Sequence, residues 1–378
     1  MTNEFIAVNS PLLTGNEKKY LMDCIDSGWI SSEGSYVTKL EQSMAQLTQR
    51  QHGIAVCNGT VALELAVKAI GIEPGDEVIM PTFTIISCAL AIVRAGGIPV
   101  LVDSCSDTWN MDIKQIESKI TEKTKAIMVV HIYGLPVEMN PVIELAEKYN
   151  LKIIEDAAQM LGQCYYERPC GSFGDVSIFS FYPNKLVTTG EGGMVVTNSL
   201  TVAQQCQLLR NLSFIPEQRY YHEQLGYNFR MSNLQAAVGV AQFERLNDYI
   251  QIKHEMGERY QTLLKDLDTL QLPIAKTDYA QNIYWVFGMV SKREDMPASK
   301  WMKALRQQGI DSRAFFVPMH QQPVFQKMGL FQNESYPVAE KLGKYGFYIP
   351  SGLALTTKQI EKVCQTIKNL VSASEIVS

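Results

Sequence analysis

Lys185 closes the run Ser177-Ile-Phe-Ser-Phe-Tyr-Pro-Asn-Lys185 and is followed by Thr188-Thr-Gly-Glu-Gly-Gly193. An apolar strand thus leads to a lysine, and a glycine-rich turn follows it. Upstream, a second apolar run, Lys152-Ile-Ile-Glu-Asp156, ends in two acids. A lysine just past one strand and an acid at the end of another are the two groups that a pyridoxal phosphate enzyme needs. The amine forms an imine with the cofactor aldehyde, and the acid keeps the ring nitrogen protonated. Pro183 interrupts the strand and turns the chain out of the sheet. The glycines admit close backbone approach. A lone lysine after a strand is ordinarily a surface residue; this one is singled out by its company.

In an open α/β sheet, ligands sit beyond the carboxyl ends of the strands. Period-two alternation lets only one of Glu155 and Asp156 face such a site. Asp156 either faces the cofactor or caps a helix starting at Ala157. Gln159, three residues on, is a candidate donor to the cofactor's phenolic oxygen. Asn58-Gly59-Thr60 precedes an apolar helix, Val61 to Ile70, and forms either a phosphate cup at a helix start or a plain N-cap. Ser180 adds a hydroxyl to the same cup. Glu64 and Lys68 form one polar stripe on this otherwise buried helix, and Gly71 stops it. Asn228 and Arg230 stand in the loop Gly226-Tyr-Asn-Phe-Arg-Met-Ser-Asn233, and Arg313 and His320 in Asp311-Ser-Arg-Ala-Phe-Phe-Val-Pro-Met-His320. No histidine pair has metal-ligand spacing, so no metal is expected.

The elements that must hold these groups alternate. Strands are predicted at 77–80, 99–103, 126–133, 152–156, 176–181 and 193–197, mostly as continuous apolar runs that suit strands covered on both faces. Helical patterns between them imply an α/β fold with a mainly parallel central sheet sandwiched by helices. Past about residue 245 the pattern changes to a charged helical stretch over 242–266, a strand at 285–290, a helix near 298–308, and a last helix opened by the capping box Thr356-Thr-Lys-Gln359. Residues 1–245 are read as the large cofactor-binding domain and 246–378 as a smaller C-terminal α/β domain. The 378 residues are 46% hydrophobic with a net charge of −5. There is no basic block, which disfavours nucleic acid, and no apolar run of membrane-spanning length. The N-terminus does not read as a signal peptide. Eight scattered cysteines read as small buried hydrophobes in a reducing cytoplasm.

These motifs resemble the nucleotide-sugar aminotransferases, a branch of the fold-type I pyridoxal phosphate enzymes, nearly end to end. The resemblance is carried by Leu13-Thr-Gly-Asn-Glu17, Asp26-Ser-Gly-Trp-Ile-Ser-Ser-Glu-Gly-Ser-Tyr36, Val56-Cys-Asn-Gly-Thr60, Pro74-Gly-Asp-Glu-Val-Ile-Met-Pro-Thr-Phe-Thr84 and His131-Ile-Tyr-Gly134. Its strongest parts are Glu155-Asp-Ala-Ala-Gln159, Ser180-Phe-Tyr-Pro-Asn-Lys185, Gly190-Glu-Gly-Gly-Met194 and Tyr227-Asn-Phe-Arg-Met-Ser-Asn233. The early loop and the stretch from Arg313 to His320 are most similar to the GDP-perosamine synthases, which aminate carbon 4 of a 4-keto-6-deoxyhexose.

The resemblance implies that Lys185 carries the imine, that Asp156 pairs with the ring nitrogen and that Gln159 pairs with the phenolic oxygen. It puts the phosphate on Gly59, Thr60 and Ser180, with Asn228 reaching it from a neighbouring subunit of a homodimer. Trp29, Ser31, Arg230, Arg313 and His320 become candidates for sugar or diphosphate contact. The implied partners are glutamate and a nucleotide-linked keto sugar. Alternatives are a dTDP- or UDP-linked 4-keto or 3-keto sugar and, in a different class, a non-catalytic regulator or scaffold on the same fold. The related sugar dehydratases carry histidine at the lysine position, so Lys185 argues against them. One position departs from the family: Ile85 stands where an aromatic residue usually stacks on the cofactor ring. The product's destination (O-antigen lipopolysaccharide, glycoprotein or small glycoside) stays open.

Overall fold

A computed structural model describes residues 5–215 and 218–376 of the chain. Five strands come first: β1 (His52–Val56), β2 (Glu77–Pro81), β3 (Ile98–Val102), β4 (Thr124–Val130) and β5 (Lys152–Asp156). A short hairpin, β6 (Cys164–Tyr165) and β7 (Arg168–Pro169), leads to β8 (Val176–Ser180) and β9 (Gly193–Thr197). The central sheet has seven strands in the order β1-β9-β8-β5-β4-β2-β3. β9 runs antiparallel to both of its neighbours, and the remaining pairs are parallel. The strands alternate with α1 (Glu17–Ser27), α2 (Ser35–Leu47), α3 (Gly59–Ala69), α4 (Ile86–Arg94), α5 (Met139–Tyr149), α6 (Leu200–Arg210) and α7 (Asn233–Phe243).

Both faces of the sheet are covered, which explains its apolar runs. On β4, Ala126, Met128 and Val130 join the cluster under α3, α4 and α6. Ile127 and Val129 point the other way, to the cluster under α5. Helix α3 is buried along most of its length. Its Glu64 turns to Arg94 of α4 as an ion pair, while Lys68 lies over the Tyr227 ring. The expected Glu64–Lys68 stripe is thus replaced by contacts to two other elements, because a buried carboxylate needs a partner within reach.

Past residue 245 come α8 (Leu246–Leu264), β10 (Leu270–Gln271), β11 (Phe287–Ser291), α9 (Ala298–Gln307), β12 (Arg313–Ala314), α10 (Pro323–Lys327), α11 (Pro337–Tyr345), β13 (Gly346–Ile349) and α12 (Thr357–Ile376). The four strands form an antiparallel sheet in the order β10-β11-β13-β12. The Thr356–Gln359 capping box is made, with Gln359 N–H donating to Thr356 Oγ1 and Thr356 N–H to Gln359 Oε1. Three expectations shift. The strand expected at 126–133 ends at Val130, since Tyr133 and Gly134 take φ values of +53° and +110° that no strand continues. The stretch 242–266 is broken between α7 and α8 at 244–245. No helix starts at Ala157; a turn follows Asp156 instead, closed by Met160 N–H to Ala157 O.

The two acids that end β5 separate as alternation requires. Glu155 points away from the carboxyl edge and is fully enclosed. Its Oε1 accepts from Gly171 N–H at 2.5 Å, and its Oε2 accepts from Phe173 N–H at 2.9 Å, Gly174 N–H at 3.2 Å and Ser177 Oγ at 2.8 Å. His131 Nε2 lies 3.1 Å from Oε1. Because Val137 N–H donates to His131 Nδ1 at 3.0 Å, the ring proton sits on Nε2 and is given to Glu155. Cys170 lies against the same pair, but neither ring nitrogen is left over for an ion. Burial alone would push the Glu155 carboxyl up; His131 and the amides of Gly171 and Phe173 outweigh it and hold it at about 2.

A carboxylate held below its ordinary 4.5 stabilises the fold fully above that pH and loses its contribution as pH falls toward about 2. Glu155→Ala should therefore lower the unfolding free energy at pH 7 by about 3–5 kcal/mol, as for a broken buried charge network, read by urea titration. Glu155→Gln should flatten the loss of stability in this acid range. An acid limb as steep as in the native chain would refute this.

Candidate active site

The parallel strands and β1 all deliver their carboxyl ends to one edge of the sheet, and the chemistry-bearing residues gather there. Gly193 opens β9 between Val56 of β1 and Ser180 of β8. A Cβ on Gly193 would lie 2.5 Å from Asn58 O, and one on Gly59 would lie 2.8 Å from Ser180 Cβ. Both glycines are needed because the start of α3 is pressed against the strand ends. Asn58 Oδ1 accepts from Val61 N–H at 3.0 Å, so its side chain is an N-cap. Thr60 Oγ1 lies 2.9 Å from Ser87 Oγ, and Gly59, Thr60, Ser87 and Ser180 line one concave wall at the N-terminus of α3. Hydroxyls and free amides at a helix start form a site for a phosphate.

Lys185 and Asp156 line the same cavity, of about 680 Å³, a size usual for small-molecule sites. Burial lowers the Lys185 amine to about 8, against the opposing pull of Asp156. Its Nζ lies 3.7 Å from the centroid of the Trp285 ring. Asp156 is raised by burial; the Ala158 N–H at 3.0 Å, the Cys88 thiol at 3.3 Å and the charge of Lys185 act in the other direction. A buried carboxylate raised in this way is an acid wanting a cation, and a protonated ring nitrogen is one. Gln159 Oε1 is taken by Tyr133 N–H at 2.6 Å, which leaves the NH₂ group as the donor available to the cavity. Asp156 caps no helix, since none starts at Ala157; it lines the cavity, and one of its oxygens accepts from the turn that follows.

The sequence pattern of the DegT/DnrJ/EryC1/StrS aminotransferase family matches residues 11–368. The chain belongs to that family. It is 40% identical to GDP-perosamine synthase of Escherichia coli O157:H7, over 98% of this chain and 99% of that one. It is 37% identical to UDP-N-acetyl-3-dehydro-alpha-D-glucosamine 3-aminotransferase of Acidithiobacillus ferrooxidans, over 96% and 95% of the two chains. Among solved structures, DesV of S. venezuelae in complex with a ketimine intermediate superposes with a TM-score of 0.87 at 31% identity, covering 94% of each chain. The protein is therefore a pyridoxal phosphate-dependent enzyme of the sugar aminotransferase family. Its residues fit that cofactor on their own chemistry: a cup that a Cβ would fill, a lysine with a lowered pKa, and a buried acid that makes no salt bridge among the described residues.

The other expected residues of this aminotransferase lie as follows. Ile85, at the N-cap of α4, lines the cavity and is 41% exposed. Arg313 lines a groove that shares Tyr182, Asn184 and Tyr348 with the cavity, and its guanidinium donates to Asp311 at 2.7 Å. Asn228 is exposed and accepts from Arg230 Nε at 3.1 Å, outside the cavity of its own chain. Trp29 and Ser31 are also exposed and outside it; their carbonyls accept from the Asn233 side-chain amide and backbone N–H. His320 is 4% exposed, with Nδ1 2.9 Å from Thr82 Oγ1 and Nε2 3.1 Å from Glu340 Oε1. Both ring nitrogens are engaged, and the structure does not bring this histidine into the cavity.

Several lining residues had no role assigned from sequence: Ser87, Tyr133, Trp285, Phe316 and Tyr348. Tyr133 stands in the His131-Ile-Tyr-Gly134 motif, whose positive φ values turn the ring into the cavity. Trp285 sits just before an apolar strand, where a tryptophan reads as core. Phe316 and Tyr348 come from the C-terminal part and close the cavity from its side.

Only a neutral amine attacks an aldehyde. Cofactor-free protein should therefore capture pyridoxal phosphate at a rate that climbs with pH through about 8 and levels above it. Asp156→Asn removes the charge that raises the amine, so the climb should move to lower pH. Stopped-flow absorbance at several pH values reads this, and an unmoved midpoint in Asp156→Asn would refute the coupling.

Proposed function

We propose that this enzyme moves an amino group from glutamate to carbon 4 of a nucleotide-linked 4-keto-6-deoxyhexose; the chain resembles Escherichia coli GDP-perosamine synthase over nearly its whole length. That end-to-end similarity carries the reading. The cavity, with an amine and a carboxylate on its walls, supports it.

Gly59, Thr60 and Ser180 are the residues for the cofactor phosphate, Asp156 for the ring nitrogen, and the Gln159 amide for the phenolic oxygen. Bound there, pyridoxal phosphate supplies an electron sink that makes the hydrogen on an amino acid's α-carbon acidic. Lys185 Nζ is the group that bonds the cofactor in the resting enzyme and the base of the reaction. As a neutral amine it accepts the α-proton of glutamate; as an ammonium it returns a proton to the sugar carbon that gains nitrogen. Asn228 serves a neighbouring subunit's phosphate, which makes the active unit a homodimer; its exposure outside its own cavity supports this. Trp29, Ser31, Arg230 and Arg313 are the candidates for sugar and diphosphate contact. Arg313 is favoured by its groove, which continues from the cavity. Residues 1–245 form the cofactor-holding part and 246–378 the part that closes over it. Eight unpaired cysteines suit a reducing cytoplasm, and among the described residues no helix is long and apolar enough to cross a membrane.

The similarity to the Acidithiobacillus ferrooxidans 3-aminotransferase favours a second reading, a UDP-linked 3-keto sugar. A panel of GDP-, dTDP- and UDP-linked keto sugars, offered with glutamate and cofactor, separates the two by product mass and by the position of nitrogen in NMR. The expected product carries nitrogen on carbon 4 of the GDP-linked sugar; turnover confined to UDP-linked 3-keto sugars would overturn the first reading. Lys185→Ala should reduce turnover below detection and abolish the visible absorbance of the loaded enzyme. Normal turnover in that variant would sink the assignment of the lysine.

A further inference from the structure

Two features near Lys185 are left without a role by this reading. The first is the face of Trp285, which carries the Lys185 amine 3.7 Å above its centroid. The indole is 6% exposed and doubly tethered. Its Nε1–H donates to Asn184 O at 2.7 Å, in the residue next to Lys185, and its ring stacks on Tyr133 with centroids 6.1 Å apart. The second feature is Lys253 of α8, a lysine only 2% exposed. Its ammonium donates to the Trp285 carbonyl at 2.8 Å and to the carbonyl of Ser351. Among the described residues no carboxylate pairs with it. Burial brings it to about 7, the cost of holding a charge on two neutral carbonyls. Lys253 lines a small chamber together with Lys185, Ser180, Gln159 and Trp285. A methionine would fill that space without a charge. What the ammonium adds is a tie from α8 to the backbone of Trp285, just before β11, and to the segment just after β13.

We propose that the Trp285 face is the seat of the Lys185 amine whenever that amine is not bonded to the cofactor, and that Lys253 is a positioning residue that fixes the indole for this purpose. The proposal rests on Lys185 being the reactive lysine. A freed amine in a dry cavity has two attractors. An ion pair with Asp156 would occupy the carboxylate that the ring nitrogen needs. An aromatic face attracts a cation without competing for the carboxylate. With the amine seated on Trp285, Asp156 stays available to the ring nitrogen. The seat also fixes where the amine starts its next proton transfer, and fixed geometry is a large part of catalytic rate. The indole favours the ammonium form and so acts against burial. The groups facing Lys185 are thus Asp156 and Trp285, which favour its ammonium form, and the enclosing walls together with the Lys253 amine across the small chamber, which oppose it.

The test uses cofactor-free protein, so that the readout does not depend on turnover. Competitive acetylation across pH, with the Lys185 peptide followed by mass spectrometry, gives the titration of that amine. Trp285→Leu keeps an apolar wall and removes the π face. It should raise the ratio of neutral amine to ammonium at Lys185 about tenfold, the scale of a desolvated cation–π contact. Trp285→Phe, which is the safer variant to fold, should give a smaller change in the same direction. Lys253→Met should also raise the neutral fraction where the indole is present; in the Trp285→Leu background it should raise it no further, because only the loss of its own charge remains, and that favours the ammonium. An unchanged Lys185 titration in both Trp285 variants would overturn the seat. An equal effect of Lys253→Met with and without the indole would overturn the positioning role. In the unaltered protein, the fluorescence of Trp285 should follow the same titration and lose that component in Lys185→Met; a component that persists overturns the contact. Borohydride reduction of the loaded enzyme reports separately on the reading beneath: a cofactor adduct on another residue would remove Lys185 as the reactive amine while leaving the titration result intact.

Discussion

Taking a carboxylate and an ammonium out of water is unfavourable for each, and two such groups in one cavity ordinarily lower that cost by joining. The site of this enzyme depends on their not joining. Asp156 ends β5 and Lys185 stands in the turn that follows the neighbouring parallel strand β8, and each is engaged from another side. The Ala158 amide and the Cys88 thiol meet the carboxylate, and the Trp285 face meets the amine. The two groups still feel one another's field. On the proposed assignment, a cofactor with an aldehyde and a basic ring nitrogen would satisfy both at once, one by a covalent bond and one by an ion pair. On that assignment, the unfavourable burial of the two groups would favour binding of the cofactor.

Separating these charges requires strand ends in fixed register, and Glu155 supplies much of that. Four donors from residues 171–177 and one from His131 converge on a single carboxylate, which locks the chain between β5 and β8. The adjacent acid is thereby held on the opposite face, at the cavity. Two acids side by side in the sequence have opposite assignments: one has its hydrogen-bond capacity saturated by protein, and the other keeps capacity for a ligand. Gly193 and Gly59 complete the arrangement by letting β9 and the start of α3 approach within contact of Ser180.

The alternating strands and helices around the lysine were legible because each strand is apolar on both faces and each chemical group stands at a strand end. Asp156, Ser180 and Lys185 could be read for that reason. β1 escaped, since His52-Gly-Ile-Ala-Val56 is short and half polar and gains its strand character from pairing with β9, a partner distant in sequence. Lys253 lies in a helical stretch full of charges, where no local signal marks the one lysine that turns inward. His320 follows a proline in what reads as a loop, and only the tertiary fold shows Thr82 and Glu340 closing on its two nitrogens. Contacts across the two parts of the chain, such as those of Phe316 and Tyr348 with the cavity, have no local trace at all.

Ile85 stands where the family resemblance leads one to expect an aromatic stacked on the cofactor ring. There this chain offers a branched aliphatic side chain at the cavity wall. The hydrophobic contribution of covering a ring face depends on area and survives the change. What is lost is the quadrupole of an aromatic partner, a contribution of about 0.5–1.5 kcal/mol beyond area. Aromatic surface is not scarce here: Tyr133, Trp285, Phe316 and Tyr348 all line the same cavity. The exchange at position 85 therefore changes which wall carries the π surface. On the proposed assignment, keeping the ring cationic would fall to Asp156, whose contacts to Ala158 and Cys88 are independent of Ile85.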